Sequence, residues 1–214
     1  AVEGAIIGSV VPKLTSVLAE GLEKIFKIKP VMLGPGIKSG LNIRIENPAQ
    51  LGADIVAAAV AAMNLKKKMP YIVCNLGTAT VMGVIDSEEI FRGVVIAAGV
   101  DTTLEGFTKK TALLAEVDLE APKNVIGKNS AQSVQSGLIF GTAAMIDGLI
   151  SRIERELGEK ARVVATGRMC RHIIPYCERE IEICEHLTSD GLYLIYEKNL
   201  QSKQKKSGKE EKRI

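Results

Sequence analysis

Short apolar runs alternate with polar ones along the 214 residues, and their periods predict strands interleaved with helices. Residues 5–11 (AIIGSVV) read as a buried strand. Pro12 is suited to open a helix, with Ser9 near enough to help cap it. Leu14, Val17, Leu18, Leu22, Ile25 and Phe26 then fall at helical spacing and predict an apolar face. Residues 30–33 form a short strand ending at Gly34-Pro35-Gly36, and the second half of 38–45 alternates as an edge strand does. After the turn at Glu46-Asn47-Pro48 comes an alanine-rich helix over about 49–63, and Lys66-Lys67-Lys68 reads as a solvated linker.

The stretch 71–86, YIVCNLGTATVMGVID, predicts two buried strands, 71–76 and 81–85, joined by Gly77-Thr78-Ala79-Thr80. Such a turn either merely connects a hairpin or presents N–H groups and hydroxyls to a phosphate. Residues 91–100 predict another strand and turn, with Asp101 or Thr102 capping a helix to about residue 115. Asn129 or Ser130 caps the longest helix, which runs to residue 157. Val134, Leu138, Met145, Leu149, Ile153 and Leu157 share one face of it. Gly137 and Gly141 make a smooth spot suited to helix or subunit packing. Further strands are expected at 161–165 and 180–183, a short helix after Thr166-Gly167-Arg168, and a last helix to about residue 199. The class is therefore α/β with a mixed sheet.

Composition narrows the function. Aromatic residues make up 4% of the chain and tryptophan is absent, which argues against a base-stacking surface. The net charge of +3 comes from the end of the chain: from Lys198 onward seven basic side chains face only Glu210 and Glu211. The body before it is slightly acidic, so nucleic acid is not expected as a partner, and the basic tail reads as solvated and disordered. No secretory leader or long apolar span stands out, so no membrane partner and a cytoplasmic location are expected. Cys74, Cys170, Cys177 and Cys184 read as unpaired thiols; the Cys-x-His spacings at 170–172 and 184–186 do not match structural zinc modules.

Gly77-Thr78, the Gly93 to Gly99 segment and Thr166-Gly167 all stand at strand ends, and Asp54 stands at a helix start. Asp54 suits a helix N-terminus on electrostatic grounds alone. Taken together, three strand-terminating turns and one acid suggest a cleft for a phosphorylated ligand. Neither the lysine-bearing P-loop nor the dinucleotide fingerprint is present.

The segments IIGSVVP (6–12), GPGIKSGLNI (34–43), NPAQLGADI (47–55), NLGTAT (75–80), RGVVIAAGV (92–100), IGKNSAQSVQSGLIFG (126–141), VVATG (163–167) and LTSDGLYLIYEKN (187–199) occur in order. In them the chain resembles the type III pantothenate kinases of the acetate and sugar kinase, Hsp70 and actin superfamily. The resemblance implies ribonuclease-H-like (actin-like ATPase) lobes with mixed sheets. It divides the chain into a partial first lobe (1–68), a second lobe (69–200) and a basic tail (201–214). It also implies ATP-dependent phosphorylation of pantothenate to 4'-phosphopantothenate, the first step of coenzyme A biosynthesis. The implied cofactors are ATP with Mg2+ and a monovalent cation, K+ or NH4+, and the implied assembly is a homodimer.

By the same resemblance Asp54 is the catalytic base, Gly52, Ala53, Ile55 and Ser130 contact pantothenate, Gly77, Thr78 and Gly167 bind ATP, and Asn75 holds the cation. Several positions depart from the family pattern. Ile55 stands for an arginine that binds pantothenate and Asn75 for an aspartate that coordinates the cation. Arg92, Ala98 and Arg168 stand for a glycine, a proline and a glycine, and Arg168 is expected to intrude on the adenosine turn. Each lost charged contact is worth about 1.5–3 kcal/mol. The family's Asp-x-Gly-Asn-Thr phosphate motif is not found in this sequence. That leads to the expectation of an open strand edge in the first lobe and a chain that dimerises or aggregates. The alternative reading is a catalytically inactive member acting as a dimeric binding or regulatory protein, a role that fits the accessory-transcription-factor label some members carry.

Overall fold

The computed structural model describes residues 2–65, 70–110 and 117–210. In chain order the elements are β1 (Ile6–Ile7), α1 (Pro12–Phe26), β2 (Val31–Met32), β3 (Asn42–Ile43), a 3-10 turn (Pro48–Gln50), α2 (Ala53–Met63), β4 (Tyr71–Leu76), β5 (Ala79–Ile85), β6 (Ile90–Ala98), α3 (Val100–Lys110), α4 (Ser130–Leu157), β7 (Arg162–Thr166), α5 (Cys170–Ile173), a second 3-10 turn (Ile174–Tyr176), β8 (Glu182–Ile183) and α6 (Leu187–Glu210). They form two compact units. One holds the residues up to 65 with 89–91 and 186–210; the other holds 70–88 and 92–185.

In the first unit β1 and β2 pair in parallel, Ile6 with Val31 and Ile7 with Met32. α1 begins at Pro12, where no N–H is needed, and Ser9 Oγ accepts the Val11 N–H at 3.1 Å. The apolar positions predicted for this helix are largely on the surface: Leu14, Val17, Leu18, Ile25 and Phe26 are all exposed. The core of the unit forms instead between α2 and α6. Ala57, Ala61 and Ala62 are buried on α2, and a Cβ on Gly191 of α6 would lie 1.8 Å from the Ala57 carbonyl. Small residues therefore let the two backbones touch, and Val56, Ile195, Leu33 and Ile43 fill the space beside them. β3 pairs in parallel with Ile90 and Phe91.

Two expectations change here. α6 clusters with the first unit, whereas the sequence reading ended the second lobe at residue 200. The helix also continues through 201–210 where a disordered tail was expected; its run of Lys, Gln, Ser and Glu is well suited to helix, and the first glycine after Gly191 is Gly208. Residues 211–214, the linker 66–68 and the expected end of α3 at 111–115 lie outside the described residues.

In the second unit β4 and β5 form an antiparallel hairpin with Leu76 opposite Thr80, and β4–β7 and β7–β8 pair in parallel. The sheet order is β6-β5-β4-β7-β8. α4 covers one face, setting Leu138, Ile139, Ile146 and Ile150 against Ile72, Cys74, Met82 and Val163. Asn129 caps it by accepting the Gln132 N–H at 2.8 Å, while Gln132 reaches back to the Lys128 N–H at 3.0 Å. α4 is long and apolar enough to cross a membrane, a feature the sequence reading did not single out. Its apolar stripe is the inner wall of this core.

Three side chains seven residues apart on α4 clamp the segment that follows α5. Phe140 meets Tyr176 edge to face at 5.2 Å. Asp147 accepts the N–H groups of Glu178 and Arg179 at 2.8 and 3.1 Å. Glu154, 6% exposed, accepts from Lys160 at 2.7 Å, Ala161 N at 3.0 Å and Arg179 at 2.5 Å. Burial pushes the Glu154 carboxyl up, but the bonds from Lys160 and Ala161 and the Arg179 charge outweigh it and hold it below the ordinary glutamate range. Stability from this group is therefore complete above that range and lost as pH falls through the folded value. Glu154→Ala is expected to cost about 3–5 kcal/mol in urea unfolding, because Arg179 is left uncompensated. Glu154→Gln is expected to flatten the loss of stability on acidification, measured by the unfolding midpoint against pH.

Candidate active site

The predicted site residues fall into three places. In the first unit, Gly52 is the N-cap of α2, without a side-chain cap, and Asp54 lies in its first turn. Gly52 and Ala53 line a pocket of 710 Å³ with the Gly34-Pro35-Gly36 loop and the side chains of Ser9, Asn47 and Gln50. A Cβ built on Gly52 would meet Asp54 Oδ1 at 2.5 Å, Val10 Cγ1 at 3.5 Å and Ile55 Cδ1 at 3.6 Å. The carboxylate thus stands beside the bare α-carbon of Gly52 with two aliphatic tips, while the pocket lining includes Gly52 and Ala53 but neither Asp54 nor Ile55. Among the described residues, no Lys or Arg lines this pocket. Asp54 and Ile55 are both half-buried.

In the second unit, Asn75, Gly77, Thr78 and Gly167 come together. The Gly77-Thr78 turn is tied by Gly77 N to Ala79 O at 3.1 Å, and Thr78 is exposed at its tip. Gly99 N donates to Thr78 O at 3.1 Å, and Thr102 Oγ1 donates to the same carbonyl at 2.7 Å. A Cβ on Gly99 would stand 2.3 Å from Thr78 O. Gly167, at φ +105°, approaches from the other side: a Cβ there would lie 2.5 Å from Leu76 O and 2.8 Å from Asn75 Oδ1. Both contacts require glycine.

Ser130, the first residue of α4, lies elsewhere in this unit. It lines a groove of 890 Å³ with Ala98, Phe107, Lys128, Gly137 and Gly141. The loop before it is pinned by Ser136 Oγ donating to Val125 O, and Gly127 is packed so closely that a Cβ would stand 2.5 Å from Ser133 N.

Three departures from the family pattern acquire partners or surroundings. Arg92 forms an ion pair with Asp86 at 3.6 Å. Ala98 lines the α4 groove. Arg168, expected to intrude on the turn beside it, donates to Asp101 Oδ2 in the first turn of α3. Sequence reasoning treated Asp101 and Thr102 only as caps. Their roles depend on residues 67 and 24 positions away, respectively, and no local pattern announces such contacts.

None of the four cysteines forms a disulfide. Burial pushes the Cys170 and Cys177 thiols up to about 12 and Cys74 further in the same direction. These thiols stay protonated, and hence poorly nucleophilic, at neutral pH.

Gly99→Ala is expected to displace the Thr78 carbonyl and destabilise the unit by about 1–3 kcal/mol, read by thermal unfolding. Gly21→Ala, in open space on α1, serves as the control and is expected to leave the second unit unchanged.

A family model described as type III pantothenate kinase matches residues 1–152. A curated type III pantothenate kinase from Exiguobacterium sp. strain AT1b is 40% identical over 198 residues, 92% of this chain and 77% of its own length. Among solved structures, a Campylobacter jejuni protein assigned to the Baf family of transcriptional activators superposes with a TM-score of 0.59 at 17% identity. That match covers 86% of this chain and 79% of the other and is a likeness of fold. An Arthrobacter inorganic polyphosphate/ATP-glucomannokinase gives a TM-score of 0.38 at 15% identity, over 92% and 71% of the two chains. The family-model match and the extent of the Exiguobacterium alignment place this chain in the type III pantothenate kinase family.

Proposed function

We propose that this protein transfers the γ-phosphoryl group of ATP to the primary hydroxyl of pantothenate, the entry step of coenzyme A biosynthesis. The observation that carries the reading is the Asp54 carboxylate beside Gly52, a residue that lines a pocket large enough for a small acceptor. There it accepts the hydroxyl proton as that oxygen attacks the γ-phosphorus in line. Gly52 and Ala53 shape the acceptor pocket, and Ile55 packs beside the base. The exposed Thr78 on its glycine-supported turn binds the phosphates, with Gly77 and Gly167 allowing close approach.

The second unit supports an actin-like ATPase, ribonuclease-H-like reading: counted within the unit, its strands run 3-2-1-4-5. The first unit is read as a partial lobe of the same kind.

Among the described residues, no cluster of three acidic, His or Cys side chains could hold a metal. A Mg2+ ion would therefore arrive on the phosphates, where it neutralises charge developing on the transferred group. Asn75 Oδ1, close to Gly167, fits a monovalent cation as a neutral oxygen ligand. K+ or NH4+ is proposed there. The groove along Gly137 and Gly141 is proposed as a homodimer face, bringing Ser130 to the acceptor site of a second copy. The unbridged cysteines fit a reducing, cytoplasmic setting.

The test is pantothenate-dependent ADP formation from ATP in potassium buffer. Asp54→Asn is expected to lower kcat by about 10²–10⁴ with an unchanged melting temperature. No turnover by folded wild-type protein would sink the reading. Ile55→Arg supplies a cation beside the pocket and is expected to lower KM for pantothenate about tenfold, with a smaller effect on kcat.

A further inference from the structure

We propose that Arg168 is a phosphate-binding residue held by Asp101 until nucleotide arrives, so that ATP binding exchanges one anionic partner of Arg168 for another. The inference rests on the kinase reading and on the Gly77-Thr78 turn as its phosphate site.

Three chain segments meet at the Leu76–Thr78 end of the hairpin. β4 and β5 supply the turn itself. The start of α3 binds the Thr78 carbonyl twice, through Gly99 N and Thr102 Oγ1. The third segment is the turn after β7, where Gly167 packs on the Leu76 carbonyl and Met169 N donates to that same oxygen at 3.1 Å. Arg168 sits between those two anchored residues, so its backbone is fixed against the turn. Its guanidinium reaches Asp101, the residue immediately before Thr102. A cation is thus suspended one residue from a hydroxyl that already grips Thr78.

The pairing is built to be broken. Arg168 is 72% exposed at its side chain and Asp101 25%, so the pair is a weak one and the guanidinium pays little desolvation to move. A triphosphate offers more charge than one carboxylate and matches the planar guanidinium fork. Once Arg168 turns to the phosphates, the unmasked Asp101 charge opposes the bound polyanion and works against the exchange. Arg168 therefore does not block the site as its length suggested; Asp101 draws it aside, and the nucleotide recruits it.

The two residues should have opposite effects on nucleotide affinity. ATP and AMP binding to the full chain is measured by titration calorimetry, with thermal unfolding to confirm folding. Arg168→Ala is expected to weaken ATP binding about ten- to hundredfold, with a much smaller effect on AMP, and Arg168→Lys to recover part of the loss. Asp101→Asn is expected to tighten ATP binding several-fold. Neither change is expected to move KM for pantothenate. A purely structural clasp predicts instead that both substitutions lower the melting temperature and weaken ATP together, which would overturn the proposal. Wild-type affinity in Arg168→Ala would overturn it while leaving the kinase reading intact. Folded wild-type protein that binds no ATP would overturn both.

Discussion

The second unit depends on two close backbone approaches to one turn. Gly99 and Gly167 press on the carbonyls of Thr78 and Leu76 at distances no side chain would permit. Through them, the crossover from β6 to α3 and the crossover from β7 to α5 are both fastened to the β4–β5 hairpin. Neither contact is large in buried area. Their effect is geometric: they decide where the first turn of α3 and the residue after Gly167 stand, and therefore where Asp101, Thr102 and Arg168 point. The phosphate site proposed at this turn is made of backbone and hydroxyls and needs that precision.

A different economy operates along α4. Phe140, Asp147 and Glu154 recur every seventh residue of α4 and treat the segment after α5 as though it were a neighbouring helix. A ring contact, a carboxylate capping two N–H groups and a buried ion pair follow in sequence. The buried carboxylate is tolerable only because Lys160, Ala161 and Arg179 all donate to it. This stitching keeps β8, a strand of two residues, in register with β7.

The element pattern was legible wherever period and punctuation agreed. The hairpin at 71–85, the cap at Asn129 and the extent of α4 could all be read from apolar spacing, a glycine turn and a side-chain oxygen three residues before the N–H that donates to it. The reading failed where tertiary context overrode local signal. α1 has an apolar stripe by spacing, yet Val17 and Ile25 are 67% and 74% exposed. The basic end looked too charged to fold, but its residues are good helix formers extending a helix already anchored at Ile195. The positions of Gly52, Thr78 and Ser130 at element ends were legible because glycine turns and capping residues mark such ends. The Arg168–Asp101 pair was not, because it depends on two crossovers meeting over a third segment.

The first unit is assembled from distant parts of the chain. α2, which carries Asp54, gains its close partner only from α6, where Gly191 meets Ala57 and Ile195 completes the core. Every residue of the second unit precedes α6 in the chain. The core between α2 and α6 cannot close until α6 has been made. The second unit is thus complete in sequence while α2 still lacks its neighbour, an order that favours folding unit by unit along the chain.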